Sequence, residues 1–128
     1  MSRVIAILPA YNAAKTLVAF LKTLPREIFS EVILVDDCST DLTFERAKRQ
    51  RGITVFQTPR NLGYGGNLKM CLGVALDRGA EIMVELHPDG EYDIDGIVPA
   101  LAEVRKGAHL ILGNRFAGRL TGMPWWKS

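Results

Sequence analysis

Short clusters of residues able to do chemistry recur along this sequence. Pro9-Ala10-Tyr11-Asn12 is the first, Asp36-Asp37-Cys38-Ser39-Thr40-Asp41 the second, and Asn61-Leu62-Gly63-Tyr64-Gly65-Gly66-Asn67 the third. His87-Pro88-Asp89-Gly90-Glu91-Tyr92-Asp93 and Gly113-Asn114-Arg115 follow. Asp36 and Asp37 suit either of two tasks: capping nearby backbone N–H groups, or accepting hydrogen bonds from a ribose hydroxyl or a nucleobase N–H. The glycines at Gly63, Gly65 and Gly66 either make a tight turn or let the backbone and a helix N-terminus approach a diphosphate. They are not a dinucleotide fingerprint, because Leu68 occupies the sixth position of G-x-G-x-x-G, and no Gly-Lys-Ser/Thr marks a P-loop. In the fourth cluster Pro88 biases His87 toward an extended backbone, so alternating His87, Asp89, Glu91 and Asp93 would project to one side. Carboxylate oxygens there suit Mg²⁺ or Mn²⁺, whereas zinc would call for more His or Cys. The competing reading is an acidic loop that caps the next helix, with Asp93 as its N-cap.

Positioning these clusters requires a regular frame, and the apolar pattern supplies one. Val4 to Leu8 and Val32 to Val35 are continuous apolar runs, as in parallel strands covered on both faces, with Pro9 ending the first. Asn12 is a candidate N-cap for a helix whose stripe is Leu17, Phe20, Leu21 and Leu24, closed by Pro25. Caps at Ser39, Thr40 and Asp41 open a polar helix running to about Arg51, and Ile53 to Phe56 is a third strand. Leu68, Cys71, Leu72 and Ala75 form a stripe closed by Gly79, Glu81 to Leu86 a fourth strand, and Ile94, Ile97, Val98 and Leu101 another stripe closed by Gly107. Ala108 to Leu112 is expected as a fifth strand. Strict β-α alternation predicts an open, mainly parallel α/β sheet with helices on both faces, in which ligands bind beyond the carboxyl ends of the strands. Every chemical cluster follows a strand and therefore falls on that one rim. Gly113 to Ser128, with Trp125 and Trp126, has no element to pack on, so the chain is expected to stop mid-structure.

The 128 residues, 48% hydrophobic and 23% charged, describe one core-forming domain and exclude a disordered chain. Sixteen Lys and Arg against fourteen Asp and Glu leave +2, too balanced for a nucleic-acid binder with a broad basic face. The apolar runs fall far short of the roughly 20 residues of a membrane span. Cys38 and Cys71 lack metal-ligand spacing and no signal peptide opens the chain, so a reduced, cytoplasmic protein is expected.

Taken in order, the clusters resemble the family 2 glycosyltransferases of GT-A (Rossmann-like) fold, particularly the polyprenyl-phosphate sugar transferase branch that includes dolichyl-phosphate mannose synthase. The quoted marks also include Val35, Leu86 and Phe116 beside their clusters. The resemblance covers nearly all of residues 1–128 and implies that they are the nucleotide-diphospho-sugar-binding part, with the acceptor-binding part missing. It implies a UDP- or GDP-sugar donor, with Pro9, Ala10, Tyr11 and Asn12 bordering the nucleoside and Asp36 or Asp37 at the base or ribose. Gly63 and Gly65 would lie along the diphosphate. Asp89 falls on the last aspartate of the family's D-x-D motif, which makes it the expected metal ligand and catalytic residue, with Glu91 a second candidate. The first aspartate of that motif is His87 here, a departure that weakens His87 as a ligand. Arg115 resembles the arginine that approaches the sugar diphosphate or acceptor phosphate; a surface salt bridge is its other reading. The implied reaction is an inverting, Mg²⁺- or Mn²⁺-assisted transfer to a lipid-phosphate or glycan acceptor, at the cytoplasmic face of a membrane if the acceptor is a lipid. A peripheral membrane contact through the following part would accompany it.

A sugar nucleotidyltransferase should carry a glycine-rich basic signature after the first strand, where Pro9-Ala10-Tyr11-Asn12 stands instead. A phosphorelay receiver should place its acidic pair after the first strand, not the second. A non-catalytic nucleotide-binding or scaffolding domain is the remaining alternative, separated from an enzyme by product formation.

Overall fold

The computed structural model describes residues 2–88 and 96–106. Asp89, Glu91, Asp93, Ile94, Arg115, the expected fifth strand and the tryptophans lie outside the described residues. The elements are β1 (Val4–Ala10), α1 (Leu17–Thr23), a 3-10 turn (Arg26–Ile28), β2 (Glu31–Asp36), α2 (Thr43–Lys48), β3 (Ile53–Gln57), α3 (Gly63–Asp77), β4 (Ile82–Glu85) and α4 (Ile97–Arg105). The strands are parallel in the order β3-β2-β1-β4. This is the expected α/β sheet, and β1 is central, with every residue buried.

Period-two alternation sorts the strand side chains between the two faces. Val4, Ala6, Leu8, Val32 and Leu34 pack under Leu17, Phe20 and Leu21 of α1, Ala47 of α2, and Ile97 and Leu101 of α4. Ile5, Ile7, Ile33 and Val35 turn the other way, against Cys71 and Ala75 of α3. Leu72 and Val98 stand exposed rather than in the expected stripes. The line of α3 that meets the sheet is Asn67, Cys71 and Ala75, spaced i, i+4 and i+8, and Leu72 lies about 100° round from Cys71.

Three other expectations are corrected. Asn12 does not cap α1, which begins only at Leu17; it takes a left-handed φ of 51° and uses its side chain elsewhere. The second helix ends at Lys48, because the chain turns through Gln50 to reach Gly52 at φ 76°. Pro9 does not end β1 but pairs with Val35, and Ala10 pairs with Asp36.

Pro9 is tolerated because its nitrogen faces away from β2. The carbonyls of Val4 and Ala10 accept N–H groups on the β2 side, those of Arg3 and Ile7 on the β4 side. On that side the ladder ends with the Leu86 N–H donating to Ile7 O at 3.0 Å. Continuing the register would require an N–H from Pro9 and then one from Pro88, and proline has none. The two strands therefore part at this point. The chain steps outward from β1 to β2 to β3 and returns to the far side of β1 at β4, so the parting coincides with the reversal of strand order, where open α/β sheets bind ligands.

Candidate functional site

A cavity of about 390 Å³ opens there. Pro9, Ala10 and Tyr11 from the end of β1 form one wall, and Asp37 follows from β2. Asn61, Gly63, Tyr64 and Asn67 from the α3 entrance and His87 and Pro88 from the β4 exit complete it. Gly63, at φ 80°, makes the turn into α3 that an L side chain would strain.

The two adjacent aspartates have different work. Asp36 is fully buried: its carboxylate accepts the Ser39 N–H at 3.1 Å, the Gln57 amide at 3.0 Å and the Ser39 hydroxyl. It shapes the loop and does not line the cavity. Asp37 does line it, although only 2% exposed. Its Oδ1 accepts the Thr58 hydroxyl at 2.9 Å and the Leu62 N–H at 2.8 Å, while its backbone O accepts from Asn61 Nδ2. Oδ2 has no hydrogen-bond partner among the described residues and remains an acceptor at the cavity wall.

Asn12, expected beside the nucleoside, does not line the cavity. Its Oδ1 accepts from the Thr40 N–H at 2.9 Å and the Thr40 hydroxyl at 3.2 Å, and its own N–H donates to Ser39 Oγ. It binds the β1 exit loop to the β2 exit loop. Asp41 continues the clasp, accepting from Thr43 and from the Ala14 N–H. Burial would push its carboxyl up, but these hydrogen bonds outweigh it and hold the pKa below the usual value. Gly65 is exposed in the first turn of α3 and is not part of the wall.

His87 does reach the cavity. Its Nε2 lies 3.1 Å from Glu85 Oε1, and the Tyr64 hydroxyl donates to the same carboxylate at 2.7 and 2.9 Å. Burial would raise the Glu85 pKa, yet the hydrogen bonds from His87 and Tyr64 and the attraction of His87 lower it. Among the described residues no three His, Cys, Asp or Glu side chains gather in a group able to hold a metal. Asp89 and Glu91, which the sequence puts forward for that role, lie outside them.

Sequence reasoning did not single out Thr58 or Glu85, and it named Tyr64 and Asn67 only as members of the third cluster, without a role of their own. Glu85 had a usable signal, since it stands one strand alternation before His87. Asn67, buried and donating to Val35 O at 3.0 Å, had a weaker one: a polar residue within the apolar stripe of α3.

Comparison with known proteins agrees with this geometry. Residues 5–128 match the family described as Glycosyl transferase family 2. The chain is 31% identical over 129 residues to undecaprenyl-phosphate mannosyltransferase of Micrococcus luteus, covering 95% of this chain and 53% of that protein. It is 25% identical over 126 residues to UDP-N-acetylglucosamine--dolichyl-phosphate N-acetylglucosaminyltransferase of Methanococcus voltae, covering 85% of this chain and 50% of the relative. The chain thus spans about half the length of these relatives. Among solved structures, S. aureus TarS superposes with a TM-score of 0.59 at 27% identity, over 81% of this chain and 20% of that one. The sheet, its rim of polar clusters and the family match over almost the whole length agree, and the chain belongs to glycosyl transferase family 2.

Proposed function

We propose that the cavity binds the nucleotide of a nucleotide-diphosphate sugar, UDP- or GDP-linked, and that the protein containing this domain transfers the sugar to a polyprenyl phosphate with inversion. The observation that carries the reading is Asp37: one carboxylate oxygen is committed to Thr58 and Leu62, and the other is presented at a cavity sited at the reversal of strand order. A fixed acceptor in that place suits a ribose hydroxyl or a base N–H. Pro9, Ala10 and Tyr11 would flank the nucleoside, and Gly63 at the head of α3 leaves room for the diphosphate.

The residues fit a divalent cation. The chain passes from His87 and Pro88 on the cavity wall directly to Asp89 and then Glu91, an oxygen-rich donor set with one imidazole, suited to Mg²⁺ or Mn²⁺. When bound, such a cation offsets the negative charge that develops on the departing nucleoside diphosphate. Asp89 would hold it directly, with Glu91 and His87 as further ligands, and Arg115 would add positive charge toward the diphosphate. A phosphate oxygen as acceptor is already anionic, so it attacks the anomeric carbon without a general base. The names of the two relatives support a polyprenyl-phosphate acceptor; for a lipid acceptor we place the reaction at the cytoplasmic face of a membrane. No helix among the described residues is long and apolar enough to cross one.

Calorimetric titration with UDP, GDP and their glucose and mannose conjugates, with and without Mn²⁺, tests the reading. Metal-dependent binding of one nucleotide is expected. A folded protein that binds none of them under either condition would overturn it.

A further inference from the structure

We infer that Thr58 is a positioning residue of the nucleotide site: its hydroxyl acts through Asp37, holding one carboxylate oxygen so that the other faces the cavity. The inference rests on the nucleotide-sugar reading above. Thr58 follows β3 directly, and the sheet fixes its backbone, since its N–H donates to Asp36 O at 2.9 Å just past the last β2–β3 pair, Asp36 with Gln57. The residue is buried, and a β-branched side chain so placed has little rotamer freedom. Its hydroxyl has a single proton and two oxygens within reach, Asp37 Oδ1 at 2.9 Å and Asp36 O at 3.4 Å. The nearer, charged acceptor takes the proton. Asp36 O is already served by the Thr58 N–H.

The last torsion of an aspartate is broad, so a carboxylate held by one hydrogen bond can swing. On Asp37 two donors converge on Oδ1, the Thr58 hydroxyl and the Leu62 N–H at 2.8 Å, and Oδ2 is left to the cavity that Asp37 lines. The same stretch of chain holds the backbone, because Asn61 Nδ2 donates to Asp37 O at 3.1 Å. Leu62 immediately precedes Gly63, the first residue of α3. The aim of Oδ2 is therefore set together with the turn that brings Gly63 and Tyr64 to the cavity wall. Thr58 itself does not line the cavity, so its effect on a bound nucleotide must pass through Asp37.

The test titrates the purified protein with UDP and GDP in the presence of Mn²⁺. Thr58→Val keeps the side-chain shape and removes the hydroxyl, and nucleotide affinity is expected to fall about fivefold, the loss of one hydrogen bond's worth of positioning. Thr58→Ser restores the donor and should stay within about twofold of the wild type. Thr58→Ala removes the same hydroxyl with a smaller side chain and should reproduce the loss if Thr58→Val does not fold. In an Asp37→Asn background the acceptor at the wall is already gone, so adding Thr58→Val should change affinity less than about twofold, whereas independent effects would multiply. Thr54→Val is the control: it takes a hydroxyl from Glu31 at the other end of β3 and should lower the melting temperature without changing affinity. Wild-type affinity in folded Thr58→Val or Thr58→Ala would overturn the inference, as would failure of Thr58→Ser to rescue or the full loss persisting in Asp37→Asn. A wild-type protein that binds neither nucleotide would overturn the nucleotide-sugar reading and this inference with it; binding by the wild type with unaffected Thr58 variants would remove the inference alone.

Discussion

Asp36 and Asp37 are neighbours in sequence with opposite duties, and substitution should separate them. In Asp37→Asn the amide oxygen can still accept from Thr58 and Leu62, while the group at the cavity wall changes from acceptor to donor. Nucleotide affinity should fall at least tenfold with a stability change within about 1 kcal/mol. Asp36→Asn instead disturbs a fully buried carboxylate whose oxygens are all engaged, and should cost about 1–3 kcal/mol. Thermal melts beside titrations check both; equal losses of affinity without destabilisation would contradict the division. The cysteines separate similarly. Cys71 is buried and its thiol is pushed up to about 12, so a thiol reagent should label only Cys38 in the folded protein. Cys38 also sits at φ 56°, where a Cβ is strained, so Cys38→Gly should raise stability by about 1 kcal/mol, read as a higher melting temperature. That an Asp-Asp pair ends β2 was legible in the sequence. Which carboxylate its own loop would consume was not, because that depends on how Ser39 and Gln57 fold back.

At the scale of elements, Glu31 ties the amino ends of the sheet together. It accepts from Arg3 at 3.1 Å, Arg78 at 2.7 Å and the Thr54 hydroxyl at 2.8 Å, thereby joining the approach to β1, the start of β2, β3 and the end of α3. The hydrogen bond from Arg78 is the main reason its pKa is lowered, against the opposing effect of burial. A carboxyl whose folded pKa lies below its unfolded value contributes stability that is complete above the unfolded value and is lost as pH falls through the folded one. Glu31→Gln should therefore cost about 1 kcal/mol at neutral pH, a modest figure because the arginines are 41% and 42% exposed and screened by water, and should flatten the acid limb of the stability curve. Chemical denaturation at pH 7 and pH 3.5 measures both. The strands and the helices α1 and α3 could be read from the sequence because burial on two faces writes a continuous apolar run and burial on one face writes a stripe. Cap and boundary positions could not. Asn12 looked like a helix cap but its carbonyl goes to Thr40, a partner 28 residues away that no local pattern reveals.

For the molecule as a whole, the described clusters after β1, β2, β3 and β4 meet on one rim of the sheet, while the resemblance to family 2 was carried by the motifs in their order along the sequence. The cavity's make-up was less accessible, since Tyr64 and Asn67 reach it only through the packing of α3 against β1 and β2. If Asp89 carries the cation, Asp89→Ala should abolish the Mn²⁺-dependent part of nucleotide-sugar affinity and leave the metal-free part intact; calorimetry in the presence of EDTA supplies the baseline, and equal affinity with and without Mn²⁺ in the wild type would remove the assignment.

Pro9 and Pro88 give this rim a further property. Neither can donate, so no strand pairing has to be broken for a nucleotide to enter between β1 and β4. The cleft is preorganised: association should proceed in one kinetic step at a rate linear in nucleotide concentration, without the plateau of a gating conformational change.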